Sequence, residues 1–261
     1  MPLTYASYLA LDELLDLQRP RSEPAEHDEM LFIVIHQTYE LWFKLMLHEL
    51  EKVGRDFRAG ELWGAVHTLK RCRTIMKTLV GQLDILETMT PMSFRSFRDR
   101  LETSSGFQST QFRELEFLLG YKRPGVMKLA GIDSGVGWEK AIGRLEEPSL
   151  LDHFHAFLGL QGAAIPAEVL ERDLREPNQA SEAVQDELVR LYGERPDLAG
   201  LFELMADFDE GLQEWRYRHV KMVERTIGDK MGTGGSPGVE FLRKSLFKPT
   251  FPDLWAIRSR L

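Results

Sequence analysis

Three observations predict an all-α protein. Apolar residues recur at helical spacing through most of the 261 residues. No series of alternating β-branched strands with hairpin turns between them is found. Two long stretches, 28–54 and 197–228, carry apolar seams stepping by three and four. At this length, with 43% hydrophobic residues, one core suffices, and the expectation is a single helical-bundle domain over 1–261.

The elements follow in chain order. The first segment, MPLTYASYLALDELLDLQRP, predicts a helix over 8–18. It lacks a basic region followed by an apolar stretch, so it does not read as a secretion signal. Tyr5 and Tyr8 lie three apart and share a face, which by itself indicates ordinary packing of an N-terminal segment. Turn-rich RPRSEPAEHD then separates it from a helix over 28–54. Further helices are expected over 60–88, 92–102, 108–120, 137–157, 180–193 and 197–228, with shorter ones after a glycine loop. TSSG at 103–106, YKRPG at 121–125 and REPNQAS at 175–181 supply breaks.

The totals exclude several function classes. There are 33 basic and 41 acidic residues, a net charge of -8, and no basic run interleaved with aromatics. Nucleic acid is therefore not an expected partner. No segment approaches the roughly 20 apolar residues that cross a bilayer, so no membrane role is expected. One cysteine, Cys72, cannot form an internal disulfide, a Cys-rich zinc site or a CxxCH attachment for haem. It agrees with a reducing compartment, and a cytoplasmic location is expected.

The seam of 28–54 reads Phe32, His36, Tyr39, Phe43, Met46, Leu50, Val53, and that of 197–228 reads Leu201, Met205, Phe208, Leu212, Trp215, His219, Met222. Each places one histidine inside an apolar stripe. Such a histidine is either a core residue with satisfied ring nitrogens or a neutral ligand for a metal. Residues three before the seven histidines are Pro24, Ile33, Leu45, Gly64, Leu150, Asp152 and Arg216, so the Glu-x-x-His pairs of a di-iron bundle are missing. HExxH is missing too, which disfavours a zinc protease. A haem needs one proximal histidine and a large apolar slot, and Trp215 and Met222, one turn from His219 on either side, suit its wall. Aromatic and methionine stripes are also ordinary core, so periodicity leaves both readings open.

The loop GTGGSPG at 232–238 follows a helix rather than a strand and lacks the lysine of a phosphate loop. It reads either as a helix stop with a linker or as a mobile lid, in which Thr233 and Ser236 offer hydroxyls to a polar ligand.

Three separated stretches then resemble one family, the tryptophan 2,3-dioxygenases: HDEMLFIVIHQTYELWFKLMLHELE at 27–51, FRSFRDRLETSSGFQSTQFRELEFLLG at 94–120 and WRYRHVKMVERTIGDKMGTGGSPG at 215–238. LTYASYL at 3–9 resembles the family's N-terminal aromatic segment, and 160–200 is the least distinctive part. The resemblance implies a non-covalently held haem b, O2 as co-substrate, L-tryptophan or a close indole amino acid as substrate, and a homotetramer. It implies addition of both oxygen atoms across the indole C2=C3 bond to give N-formylkynurenine, the first step of the kynurenine route.

Carried over by position, His219 matches the proximal iron ligand, and His36 the distal, catalytic histidine that meets the indole N–H. Phe32 falls on the aromatic wall of the indole pocket, and Arg98 on the arginine that binds the substrate carboxylate, with Phe94 and Leu101 nearby. Thr233 matches the loop threonine that contacts the substrate ammonium and carboxylate, and Ser105 lies in the Ser-Gly segment beside the haem. Tyr5, Tyr8 and Leu9 match residues that complete the pocket of a neighbouring subunit, so 1–20 is expected to pack there. In helix projection Arg98 lies nearest the apolar face of Phe94, Phe97 and Leu101, whereas Arg95 and Arg100 point further away. A guanidinium in that place suits bidentate pairing with a carboxylate, as an alternative to a surface ion pair.

The loop departs from the family's usual GTGGSSG at Pro237, which bears on lid motion and substrate range. Two rival readings remain at this stage: a haem monooxygenase that makes an oxindole from tryptophan or a substituted tryptophan, and a non-catalytic haem or tryptophan sensor. A haem-free helical scaffold is a third.

Overall fold

The computed structural model describes residues 2–129, 137–234 and 238–261. Among the described residues the regular elements are helices, as expected from the sequence. In chain order they are α1 (Tyr5–Leu9), α2 (Leu11–Leu15), α3 (His27–Arg58), α4 (Leu62–Leu86), α5 (Pro91–Arg98), α6 (Thr110–Leu118), α7 (Pro124–Leu129), α8 (Trp138–Glu146), α9 (Leu150–Leu160), α10 (Ala167–Leu170), α11 (Glu182–Glu194), α12 (Pro196–Ile227), α13 (Val239–Arg243) and α14 (Pro252–Ala256). Short 3-10 turns follow α5 and α14 and precede α6.

Three long helices form the frame: α4 packs against both α3 and α12, and α9 and α6 cover α3. α3 and α12 each have 32 residues, which at about 1.5 Å per residue gives rods of roughly 48 Å. α3 carries Asp28 and Glu29 in its first turn and Arg55 and Arg58 in its last, complementing the helix dipole at both ends. Glu29 is itself buried and accepts the backbone N–H groups of Arg21 at 2.7 Å and Ser22 at 2.9 Å, tying the preceding loop to the helix.

The seams read from the sequence are the packed faces. Tyr39, Phe43, Met46, Leu50 and Val53 of α3 are buried, as are Leu201, Met205, Phe208, Leu212 and Trp215 of α12. Phe32 and His36 at one end of the first seam, and His219 and Met222 at one end of the second, are only half-buried. Both seams therefore run from tight core into open space.

Several boundaries differ from expectation, each with a local cause. The helix expected over 8–18 starts earlier, because Thr4 and Ser7 form a reciprocal capping box, and it breaks at Ala10, whose φ of 49° is left-handed. The helix expected over 137–157 is two helices. Pro148 forces Glu147 into extended backbone, and Ser149 opens α9 with a capping box to Asp152. Residues 92–102 give α5 and then a 3-10 turn over Asp99–Leu101. α7 and α10 were not expected; each is under two turns and carries too few residues for a periodic signal.

The C-terminal segment is pinned to α12 by one buried carboxylate. Asp209 accepts the N–H groups of Thr250 and Phe251 and the indole N–H of Trp255 at 2.8–3.1 Å.

Candidate functional site

A cavity of about 260 Å³ opens where the α3 and α12 seams end, bounded by α5, the 101–113 segment and the start of the glycine loop. From α3 it receives Phe32 and His36; from α5 and the turn after it, Phe94, Arg98 and Leu101. Ser105 comes from the 103–106 break, Trp215, His219 and Met222 from α12, and Thr233 from the loop. These residues span about 200 positions in sequence, and the fold brings them to one space.

The two histidines are electrically similar and differently held. His36 Nδ1–H donates to the Phe32 carbonyl one turn back at 2.7 Å, which fixes the tautomer and leaves Nε2 as an acceptor. Burial lowers its pKa, partly offset by that carbonyl and by Glu40. His219 makes no hydrogen bond among the described residues. Its ring stacks on Trp215, with centroids 5.1 Å apart and planes 8° apart. Burial pushes its pKa down to about 4, with His36 and Arg113 adding to the effect, so both rings are neutral at pH 7. The rings are enclosed by protein and yet retain accessible surface, because that surface faces the cavity rather than bulk water.

Aromatic packing fixes the walls. Phe32 lies 4.1 Å from the His36 ring, 5.7 Å from Phe94 and 5.6 Å from Phe97, centroid to centroid. Trp215 is wedged against Phe112 at 5.1 Å and Tyr39 at 6.2 Å. Rings packed from several directions have few alternative rotamers, so the two histidines are held in place before any ligand arrives.

The mouth is polar. Thr90 caps α5 by accepting the Ser93 N–H at 3.0 Å, and Pro91 follows at the first helical position. That start sets the phase that buries Phe94 and Phe97 and turns Arg98 to the cavity, while Arg95 and Arg100 remain exposed, as the helix projection predicts. Arg98 donates to the Met231 carbonyl at 2.7 Å, and the Thr233 hydroxyl donates to the Ser104 carbonyl. Gly234 lies so close to the 103–106 break that a Cβ there would stand 2.8 Å from Ser105 Cβ and 3.3 Å from the Thr103 oxygen. The 103–106 break and the start of the glycine loop, 232–234, thus meet over the cavity. Ser236 and Pro237 lie outside the described residues.

Tyr5, Tyr8 and Leu9 do not reach this cavity; Tyr5 and Tyr8 are 77% and 72% exposed on α1. A further part of the lining has no forerunner in the sequence reading: Arg113, Glu116, Arg123 and Arg216, with Phe107, Phe112 and Phe241. Charges at i and i+3 on a nine-residue helix read as a solvated face, so the pattern of α6 gave no sign that Arg113 and Glu116 are buried.

Comparison with known proteins bears on the whole chain. The family model for tryptophan 2,3-dioxygenase matches residues 1–130 and 179–261. The chain belongs to the tryptophan 2,3-dioxygenase family. It is similar to the tryptophan 2,3-dioxygenase of Herpetosiphon aurantiacus, 55% identical over 260 residues, covering 99% of this chain and 98% of the relative. It is 54% identical over 259 residues to that of Anaeromyxobacter sp. strain K, covering 99% and 96%, and 42% identical over 262 residues to that of Arthrobacter sp., covering 99% and 92%. Of the stretch the tryptophan 2,3-dioxygenase model leaves unmatched, 131–178, the described residues, 137–178, contribute nothing to the cavity lining. Its helices α8 and α9 pack on the outer faces of α6 and α3.

The residues present fit the haem of this tryptophan 2,3-dioxygenase family. His219 is a neutral imidazole with no hydrogen bond among the described residues, set in a largely aromatic and aliphatic cavity. A neutral ring with an uncommitted nitrogen is the form that binds iron.

Proposed function

We propose that the protein is a haem-dependent tryptophan 2,3-dioxygenase that adds both atoms of O2 across the indole C2=C3 bond of L-tryptophan, giving N-formylkynurenine. The observation that carries this reading is the placement of His219 and His36, both neutral, on one cavity whose mouth is lined by Arg98 and Thr233. A gas sensor has no need of an amino-acid clamp, and the full-length similarity to tryptophan 2,3-dioxygenases supports an enzyme.

His219 would hold the iron, with Trp215 and Met222 packing beside it, and Ser105 beside the haem. Bound haem supplies the iron at which O2 is activated. His36 would accept the indole N–H through Nε2, since its Nδ1–H is committed to Phe32. Phe32, Phe94 and Leu101 offer the apolar surface for the indole. Arg98 and Thr233 would exchange their present backbone partners, Met231 and Ser104, for the substrate's carboxylate and ammonium ends. That exchange couples substrate binding to the position of the glycine loop, whose closure excludes water. Fixing the substrate at both ends makes the addition effectively intramolecular.

The reading extends to one haem-binding domain over 1–261 and to a homotetramer. The exposed apolar side chains Leu3, Tyr5, Tyr8 and Leu9 suit an N-terminal segment that completes a neighbouring subunit's pocket. Cytoplasmic residence agrees with the lone, buried Cys72 and with the lack, among the described residues, of any helix long and apolar enough to cross a membrane.

The test is anaerobic reduction of the haem-loaded protein, addition of L-tryptophan and O2, and mass analysis of the product. A gain of two oxygen atoms is expected. A gain of one oxygen would replace this reading with a monooxygenase, and a tryptophan-induced Soret shift without product would replace it with a sensor.

A further inference from the structure

One wall of the cavity carries charge that no role above uses. Arg113 on α6, Arg123 beyond it and Arg216 on α12 line that wall with Glu116. Arg113 and Arg216 are each 5% exposed, so their charges are well removed from bulk water.

The wall is short of negative charge. Glu116 takes ion pairs from Arg113 at 2.5 Å and Arg123 at 2.8 Å. Among the described residues Arg216 has no carboxylate ion pair, and its Nη1 donates to the Lys248 carbonyl at 3.0 Å. Asp209, two turns earlier on α12, feels the charge of Arg216, but its oxygens already accept from Thr250, Phe251 and Trp255. Among the described residues the Nε–H groups of Arg113, Arg123 and Arg216 are all buried with no acceptor. Aromatic rings hold the guanidinium groups without accepting those protons: Arg113 lies 4.9 Å from the Phe112 centroid, and Arg123 and Arg216 lie 4.2 and 5.0 Å from that of Tyr121.

Buried guanidinium groups with unmet donors are costly, and such clusters persist where an anion completes them. The ligand that fits is planar and apolar over most of its area with carboxylates along one edge, because the remaining walls of the cavity are largely aromatic and aliphatic. Arg98 belongs to a different element and is engaged by the glycine loop, so it serves a separate anion.

We infer that Arg113, Arg123 and Arg216, braced by Glu116 and Tyr121, form the seat for the propionate carboxylates of the porphyrin. The inference rests on the haem reading above. Arg216 is the principal partner, because among the described residues it alone of the three makes no ion pair with a carboxylate. Glu116 acts as a positioning residue that keeps Arg113 and Arg123 from repelling one another.

The experiment compares haemin with its dimethyl ester, in which both carboxylates are neutralised, bound to the full-length protein. Release into excess apomyoglobin is followed by the Soret band. Wild-type protein is expected to release the ester roughly tenfold faster than haemin, as loss of charge-assisted pairing requires. Arg216→Gln should speed haemin release by roughly the same factor while leaving ester release unchanged within about twofold. Should Arg216→Gln fail to fold, the less buried Arg123→Gln and the wild-type comparison carry the test. A wild-type Soret band with equal release of haemin and ester would overturn the propionate seat and leave the haem reading standing. Absence of any Soret band after reconstitution would overturn both.

Discussion

The Arg98 guanidinium donates to the main-chain carbonyl of Met231 at 2.7 Å, joining the end of α5 to a loop 133 residues further along the chain. The same hydrogen bond leaves the guanidinium poised for a carboxylate, which as a charged acceptor binds it more strongly than a carbonyl does. Arg98→Ala is therefore expected to raise KM for L-tryptophan by roughly 10- to 100-fold, about 1.5–3 kcal/mol, with a smaller change in kcat. Steady-state kinetics decide it; an unchanged KM would remove Arg98 from the substrate clamp.

His219→Ala should abolish stable haem binding without unfolding α12, whose seam is buried from Leu198 to Trp215 independently of the ring. The expected result is loss of the Soret band with retained helical circular dichroism, and partial recovery of the band on adding imidazole. Full haem retention in the variant would place the iron ligand elsewhere.

Gly234 approaches Ser105 and Thr103 more closely than any side chain permits. Gly234→Ala should force the loop away from the 103–106 segment, weakening the Thr233 contact to Ser104. We expect KM to rise by about tenfold, the effect of a loop displaced by about an ångström, with a melting temperature near wild type. Normal kinetics would show that the loop's position against Ser105 is irrelevant to substrate binding.

Acid should destabilise the fold through buried neutral histidines. Among the described residues both ring nitrogens of His155 lack a hydrogen-bond partner, and burial holds its pKa at about 4. An unfolded chain binds the proton near pH 6.5, so the folded state keeps its full stability above that value and loses it as pH falls from about 6.5 toward 4. The loss from this one residue is at most roughly 3 kcal/mol. His153 and His219, also held at about 4, act in the same direction. His155→Leu should therefore raise the melting temperature more at pH 5 than at pH 8; equal gains at the two pH values would separate His155 from the acid response.

Asp209→Ala would leave the N–H groups of Thr250, Phe251 and Trp255 without their common acceptor. At about 1–3 kcal/mol for each of the two buried donors, those of Thr250 and Phe251, the expected destabilisation is about 3 kcal/mol. Limited proteolysis should then cut within 244–261 while the three-helix frame resists. A protease pattern like that of wild type would show that the segment is held by Phe251, Leu254 and Ile257 in the core and not by the carboxylate.

The residue pattern alone settled the helical class, the two long seams and the phase that separates Arg98 from Arg95 and Arg100. It did so because helix periodicity is local: residues three and four apart share a face whatever lies opposite. The family motifs in the sequence also named part of the cavity lining, though not Arg113, Glu116, Arg123 or Arg216. Local pattern erred where a single residue outweighed periodicity, as at Pro148, which divides the helix expected over 137–157.

What each face meets was settled by packing in three dimensions. Periodicity marks His219 and Trp215 alike as seam residues, yet Trp215 packs against Phe112 while His219 faces open space. The difference arises from packing across α3, α6 and α12, segments far apart in sequence. The same holds for Arg113, Glu116, Arg123 and Arg216. Their charges read as solvated in one dimension, and become a buried wall only because α6 and α12 converge on it. Burial depends on the sum of neighbours in space, and a single strand of sequence does not specify that sum.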